Sequence, residues 1–279
     1  MPGRGGGGRG GNRGGGPLPR PVQVSKKISW LLRHGAEKEG LTLGPGGYIN
    51  VSEVLANRNL KSLKVTFDEL RQIVEENDKQ RFTMVAVEQG EGQTPLPSND
   101  PKDYLIRANQ GHSLKVEEEG LLQPITEENL PATVVHGTTH SAWPLIVSSG
   151  GLKPMGRNHV HFASGLPAGF TSLVDSSSST SSSSTNTTNA NEVSAPVISG
   201  MRKSSTVLVF LDVVRAMQAG IKFWVSDNGV VLTEGNEEGV VPLEFFRRVE
   251  DLTGEGVLVE EGRVVKEAPG TWNKGGGRS

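Results

Sequence analysis

The sequence predicts an α+β protein of two folded lobes, and three observations carry that expectation. Residues 22–110 show helical periodicity with capping signals and close on a hairpin pattern. Residues 111–262 read instead as short strands with few helices, which points to a mainly antiparallel sheet. Low-complexity tracts fence these segments off. Residues 1–16 hold ten glycines and three arginines, residues 176–185 are all Ser or Thr, and Gly270 to Ser279 is again rich in Gly, Lys and Arg. Such stretches cannot bury enough apolar surface to offset their ordering entropy. The expected organisation is a disordered Gly/Arg tail over 1–20, a first lobe over 21–110, a second lobe over 111–262 and a flexible tail over 263–279. A disordered Ser/Thr/Asn insertion at 165–204 interrupts the second lobe. The first tail suits either a weak, salt-sensitive contact with RNA or a passive solubilising role.

The first lobe opens with a predicted helix from Val24 to Glu37. At 100° per residue, Val24, Ile28, Leu31, Leu32 and Gly35 fall within about 80° of one another, a core-facing stripe. Lys26, Lys27, Trp30, Arg33 and His34 share the opposite arc. A tryptophan among four potential cations suggests a second surface to pack on, although a solvated basic face is the simpler reading. Gly44-Pro45-Gly46-Gly47 is a turn. Asn50 with Glu53, and Thr66 with Glu69, have capping-box spacing for helices over Val51 to Ala56 and from Phe67 onward. Arg81 to Val87 alternates like a strand, and Tyr104 to Ala108 reads as its hairpin partner. Helices followed by a two-stranded hairpin is the order of a winged-helix module. Lys79 and Arg81 stand at the mouth of that hairpin, where a phosphate contact competes with simple solvation.

In the second lobe, strands are expected at Thr133 to Val135, His159 to Ala163, Thr206 to Asp212, Ile221 to Val225 and Val230 to Thr233. Asp227-Asn228-Gly229 is a tight-turn signal before the last of these. Short helices are expected at Ser141 to Ser148 and Asp212 to Ala219. Five of the six histidines lie between residues 112 and 161. His159 and His161 face one side of a strand with Val160 on the other, and Arg157 precedes them, which favours a polar cleft.

Composition narrows the chemistry. The 279 residues carry a formal net charge of −2, yet the two tails account for +4 and +2, leaving 21–265 at −8. An acidic body does not coat a nucleic acid broadly, so any phosphate must meet a few concentrated cations. Cysteine is absent, which removes disulfides, thiol catalysis and thiolate metal sites. No apolar run approaches the ~20 residues that cross a bilayer, so no membrane role is expected. The acid-poor N-terminus lacks the amphipathic face of a transit peptide, and a cytoplasmic or nuclear location is expected. An HxH pair suits zinc, but no HExxH is present and the other histidines sit in Gly-flanked loops, so no metal is expected. The folded body also lacks a GxGxxG or P-loop cradle.

Six segments together resemble one family. They are Ser25 to His34 (SKKISWLLRH), Asp78 to Phe82 (DKQRF), Ile106 to Ser113 (IRANQGHS), His136-Gly137-Thr138, Met155 to Phe162 (MGRNHVHF) and Asn228 to Thr233 (NGVVLT). They occur in family order across about 24–247 and are similar to those of the RNA 2'-phosphotransferases of the KptA type, the NAD-dependent enzymes of tRNA splicing. The resemblance implies an N-terminal winged-helix lobe, a C-terminal lobe of the ADP-ribosyltransferase fold, and an active site in the cleft between them. The Ser/Thr/Asn insertion after Ala163 departs from the family pattern and is expected to loop out.

By the same resemblance, Arg33, His34, Arg81 and Arg157 form the catalytic set. Arg33, His34 and Arg81, with Lys79, take the RNA phosphate, and Arg157 stands between that phosphate and the dinucleotide. His136, Gly137, Thr138, His159 and His161 hold the nicotinamide riboside, and His112 and Ser113 reach the dinucleotide. The implied reaction transfers an internal tRNA 2'-phosphate to NAD+. That phosphate expels nicotinamide from the ribose, and the ribose 2''-hydroxyl then attacks phosphorus, giving ADP-ribose 1'',2''-cyclic phosphate and RNA with a free 2'-hydroxyl. Arginine suits both steps because its planar fork binds phosphate bidentately and stays charged. The expected partners are tRNA bearing an internal 2'-phosphate and NAD+, with the protein acting as a monomer. The alternative is a mono-ADP-ribosyltransferase acting on a nucleic-acid phosphate or a protein.

Overall fold

A computed structural model describes residues 17–87, 98–117, 120–173 and 201–275. The expected N-terminal tail up to residue 16 and the insertion over 174–200 lie outside the described residues. The chain forms a mixed α+β structure, with helices and a small sheet followed by a large antiparallel nine-stranded sheet.

Helix α1 (Arg20–Trp30) begins four residues before the periodicity predicts, because Pro17 and Pro19 stop it there and Arg20 ties its first turn down. Arg20 donates to both Glu69 carboxylate oxygens at 2.7 and 2.8 Å. The helix does not run on to Glu37 as a regular α-helix; it widens into a π-turn at Leu31–Gly35. The expected stripe is otherwise correct, with Val24, Ile28, Leu31, Leu32 and Gly35 all buried. Each such apolar side chain contributes roughly 1.5–3 kcal/mol.

Asn50 caps α2 (Val51–Ala56) by accepting from the Ser52 amide, and Thr66 caps α4 (Phe67–Glu75) by accepting from the Glu69 amide. Between them lies a helix the periodicity does not announce, α3 (Arg58–Lys61). The expected hairpin is present as β2 (Phe82–Ala86) and β3 (Tyr104–Ala108), paired from Phe82 against Ala108 to Ala86 against Tyr104. β1 (Ile49–Asn50) adds a third strand on the other edge of β3.

The large sheet runs β14–β13–β12–β8–β5–β7–β10–β9–β4, antiparallel throughout. Its members in chain order are β4 (Leu122–Pro124), β5 (Val135–Thr138), β7 (Val160–Ala163), β8 (Val207–Leu211), β9 (Trp224–Ser226) and β10 (Val230–Thr233). Three more follow: β12 (Phe246–Asp251), β13 (Gly256–Glu260) and β14 (Arg263–Val264). β6 (Gly151–Leu152) and β11 (Val241–Pro242) pair separately. Helices α5 (Trp143–Ser148) and α6 (Val213–Gln218) lie within the expected segments. β5 and β9 both sit later than expected, since Thr133 and Ile221 belong to the loops that lead in.

Strand alternation sorts the sheet into two faces. Val160, Phe162, Val207, Val209, Leu211 and Val231 enter the main core. Val135, Ala163, Leu208 and Phe210 form a smaller cluster on the other face, under Leu166, Phe170, Met201 and Leu252. These last contacts narrow the looped-out segment. Ser172 Oγ and the Leu173 amide both bond the buried Glu250 carboxylate at 2.9 Å, so both ends of the stretch 165–204 are built into the fold. The stretch from 263 likewise departs from a free tail, with β14 paired to β13 and Trp272 stacked on His140 at 3.9 Å between ring centroids.

Candidate active site

The first lobe, with the segment from Gly111 to Gly120 that follows it, meets the large sheet along a seam of backbone and side-chain bonds. Asn158 donates its backbone N–H to the His112 carbonyl at 3.0 Å and its side-chain amide to the Leu114 carbonyl at 2.9 Å. Arg107 pairs with Asp227, donates to the Gly120 carbonyl at 2.7 Å and lies 4.6 Å over the Tyr48 ring. Asn228 donates to the Lys79 carbonyl at 3.0 Å. The tight turn at 227–229, with Gly229 at φ +73°, thus clamps the two lobes as well as joining β9 to β10.

Within this seam the π-turn presents Arg33 and His34. The wider turn rotates both away from the arc that a regular helix dictates, and Arg33 is only 8% exposed. Its guanidinium lies along Gly111, whose φ of +88° favours glycine there. Burial lowers the Arg33 pKa to about 10, assisted by repulsion from Arg157 and Arg81. His34 Nδ1 meets Ser113 Oγ at 2.8 Å, and burial with the nearby Arg157 and Arg33 lowers its pKa. Arg81 and Arg157 are also pushed down, first by burial. Asp78 offers Arg81 the one opposing influence. Among the described residues none of these arginines forms an ion pair. Concentrated positive charge without a carboxylate is costly unless an anion completes it.

The structure therefore brings Arg33, His34, Arg81 and Arg157 within electrostatic reach of one another. Lys79 joins them, with burial, Arg81 and Lys203 all lowering its pKa. His161 faces the same group, lowered to about 3 by burial and then by Arg157. His112, lowered to about 4 by burial and Arg33, lines a nearly closed gap of about 10 Å³ with His159, room for one water at most. His136 is set apart. Strand alternation turns its ring toward the main core, where it meets Phe162 edge-on, while its Nδ1 donates to the His161 carbonyl at 2.8 Å. Thr138 is buried on that same face, opposite Val207. Gly137 differs from the expected ligand approach, since a side chain there would stand 2.2 Å from Met201, so the glycine accommodates Met201.

Two cations escaped the sequence reading. Arg202 acts on Arg157 and Lys203 on Lys79, and the Met201 carbonyl accepts from Lys79 Nζ at 3.4 Å. They sit inside the stretch read as insertion; only their basic character beside Ser204 and Ser205 marked them. Among the described residues Arg33 Nε and Nη2 and the buried Nε2 atoms of His112 and His161 have no hydrogen-bond partner; phosphate oxygens suit the guanidinium and ribose hydroxyls suit the imidazoles. Among the described residues no cluster of three or more His, Asp or Glu is arranged for a metal.

A two-lobed α+β protein with an unneutralised guanidinium cluster at the lobe junction defines a phosphate-handling enzyme. Comparison with known proteins makes the class specific. A family model described as RNA 2'-phosphotransferase, Tpt1 / KptA family, matches residues 19–235, and the chain belongs to that family. A tRNA 2'-phosphotransferase 1 of Danio rerio is 36% identical over 84% of this chain and 87% of its own. The tRNA 2'-phosphotransferase of Saccharomyces cerevisiae is 35% identical over 82% and 84%. A probable RNA 2'-phosphotransferase of Herpetosiphon aurantiacus is 31% identical over 81% and 97%.

Proposed function

We propose that this chain is the tRNA 2'-phosphotransferase of the last step of tRNA splicing. It transfers the internal splice-junction 2'-phosphate to NAD+ and releases tRNA with a 2'-hydroxyl, nicotinamide and ADP-ribose 1'',2''-cyclic phosphate. The single observation that carries this reading is the convergence of Arg33, Arg81 and Arg157 with no carboxylate partner among the described residues. A dianionic phosphate supplies the missing charge.

NAD+ brings an electrophilic ribose carbon with nicotinamide as its leaving group; the chain's residues supply the rest. Arg33 and Arg81, from the π-turn and the hairpin mouth, grip the RNA phosphate and hold it in line. His34, fixed by Ser113 and kept neutral by its lowered pKa, offers one further hydrogen bond. Arg157 and His161 stand on the sheet side, where Arg157 stabilises charge on the phosphoryl oxygens during release. Lys79 steers the RNA, and Arg202 and Lys203 extend the cationic rim. His112, Ser113 and His159 shape the dinucleotide side. The first lobe, 21–110, is the winged-helix RNA-binding unit, and 111–262 is the ADP-ribosyltransferase-like unit. Among the described residues no helix is long and apolar enough to cross a membrane.

The test is incubation with NAD+ and an RNA carrying one internal 2'-phosphate. Release of a cyclic phosphate with a free 2'-hydroxyl, strictly dependent on NAD+, is expected. Accumulation of a stable ADP-ribosylated product would instead identify a mono-ADP-ribosyltransferase.

A further inference from the structure

The arc of Lys26, Lys27, Trp30, Arg33 and His34 is used only in part by this site. Arg33 and His34 turn into the seam, whereas Trp30 remains 38% exposed and both lysines stay at the surface. Beside them runs a groove of about 440 Å³ lined by Leu18, Lys26, Lys27, Trp30, Asn59 and Leu63. Among the described residues neither lysine has an ion-pair partner. The Trp30 ring rests on Gly35, where a side chain would stand 2.6 Å from it, so one ring face is fixed and the groove side is open.

We propose that this groove is a second RNA site, holding an unpaired base of the substrate stacked on Trp30 with its phosphates on Lys26 and Lys27. It rests on the reading of the chain as an RNA 2'-phosphotransferase. Three features favour RNA. The groove joins an apolar, aromatic floor to unpaired cations, the combination that binds a base and its backbone together. Its charge repels the chain's own Gly/Arg-rich segment 1–16, whose arginines are of the same sign. Lys26 and Trp30 stand one turn apart on α1, and the π-turn that carries Arg33 and His34 into the seam follows directly on Trp30, so the groove adjoins the catalytic seam along the chain. A strand gripped at His34 therefore passes the groove next.

The experiment is direct binding of the full chain, without NAD+, to an unmodified tRNA and to a trinucleotide bearing the 2'-phosphate. Trp30→Ala is expected to weaken tRNA binding roughly 10-fold and Trp30→Phe to restore most of it. Lys26→Gln/Lys27→Gln, which leaves the ring in place, is expected to weaken it several-fold and to lower the salt dependence by up to about two ion equivalents. Trinucleotide binding should stay as in the wild type. Wild-type tRNA affinity in both the Trp30→Ala and the double-lysine variants would overturn the proposal and leave a protein as the occupant. Equal losses for tRNA and trinucleotide would overturn it too. Failure of the catalytic reading shows separately, as absence of 2'-phosphate release by the unaltered chain.

Discussion

His140 and His161 flank the same sheet under opposite electrostatics. His140 Nε2 meets the Asp251 carboxylate at 2.6 Å, Thr253 joins the pair, and Trp272 covers the ring. Burial alone would raise the Asp251 pKa, but hydrogen bonds from the Glu255 amide, His140 and Thr253 outweigh it and hold the carboxyl low. Among the described residues His161 has no such carboxylate; its Nε2 is unpaired, its ring bonds the His159 backbone, and Arg157, His159 and Arg33 stand against its charge. Where every charge has its complement, the arrangement holds the fold together. Where like charges are buried side by side, the fold bears a cost that only a ligand removes, which marks a working site.

The largest test of that contrast is Arg33→Gln. Under the proposed function Arg33 grips the transferring phosphate, and its loss should lower kcat/KM roughly 10²–10³-fold, about 3–4 kcal/mol of transition-state stabilisation. Stability should hold or rise slightly, because a buried like charge is removed. Steady-state turnover paired with a thermal melt reads both. A melt that falls along with activity would place Arg33 on the structural side of the comparison.

The second test uses pH. His112 has a folded pKa of about 4 against an ordinary 6.5, so it contributes stability in full above pH 6.5 and loses it as pH falls toward 4. The unfolded chain binds more protons throughout that window, so stability must rise with pH. Between pH 8 and pH 5 the expected loss is about 2 kcal/mol from this residue. His161 acts in the same direction. Denaturant midpoints at the two pH values measure it, and His112→Gln should flatten the profile.

The positions of the site residues were legible only in part. Arg33, His34, Arg81 and Arg157 are recognisable from their motifs, but Arg33's burial is not, because a 100° periodicity cannot see the turn widen at Leu31. The clamp between Arg107 and Asp227 joins residues 120 positions apart and leaves no local trace. Asn50, Thr66 and the turn at 227–229 were readable because caps and tight turns are local chemistry. β12 was not, since Arg247, Arg248, Glu250 and Asp251 break its alternation, and the burial that tolerates Glu250 comes from Ser172 and Leu173 far along the chain. Low-complexity neighbours hide Arg202 and Lys203; their place beside Arg157 and Lys79 follows from where Met201 lands, on Gly137 of β5.

The smallest effect tests the compensated side. Asp251→Asn keeps the shape of the side chain and removes the charge that His140 and the Thr253 and Glu255 amides share. Hydrogen bonds to a charged group contribute about 1.5–3 kcal/mol, and the amide retains part of that, so a loss of about 1–2 kcal/mol is expected. Urea midpoints at fixed slope check it. Turnover should not change, because Asp251 touches none of the seam residues. A variant that melts normally but loses turnover would join the two regions into one electrostatic unit, and charge compensation would no longer separate the part of the sheet that holds the fold from the part that works.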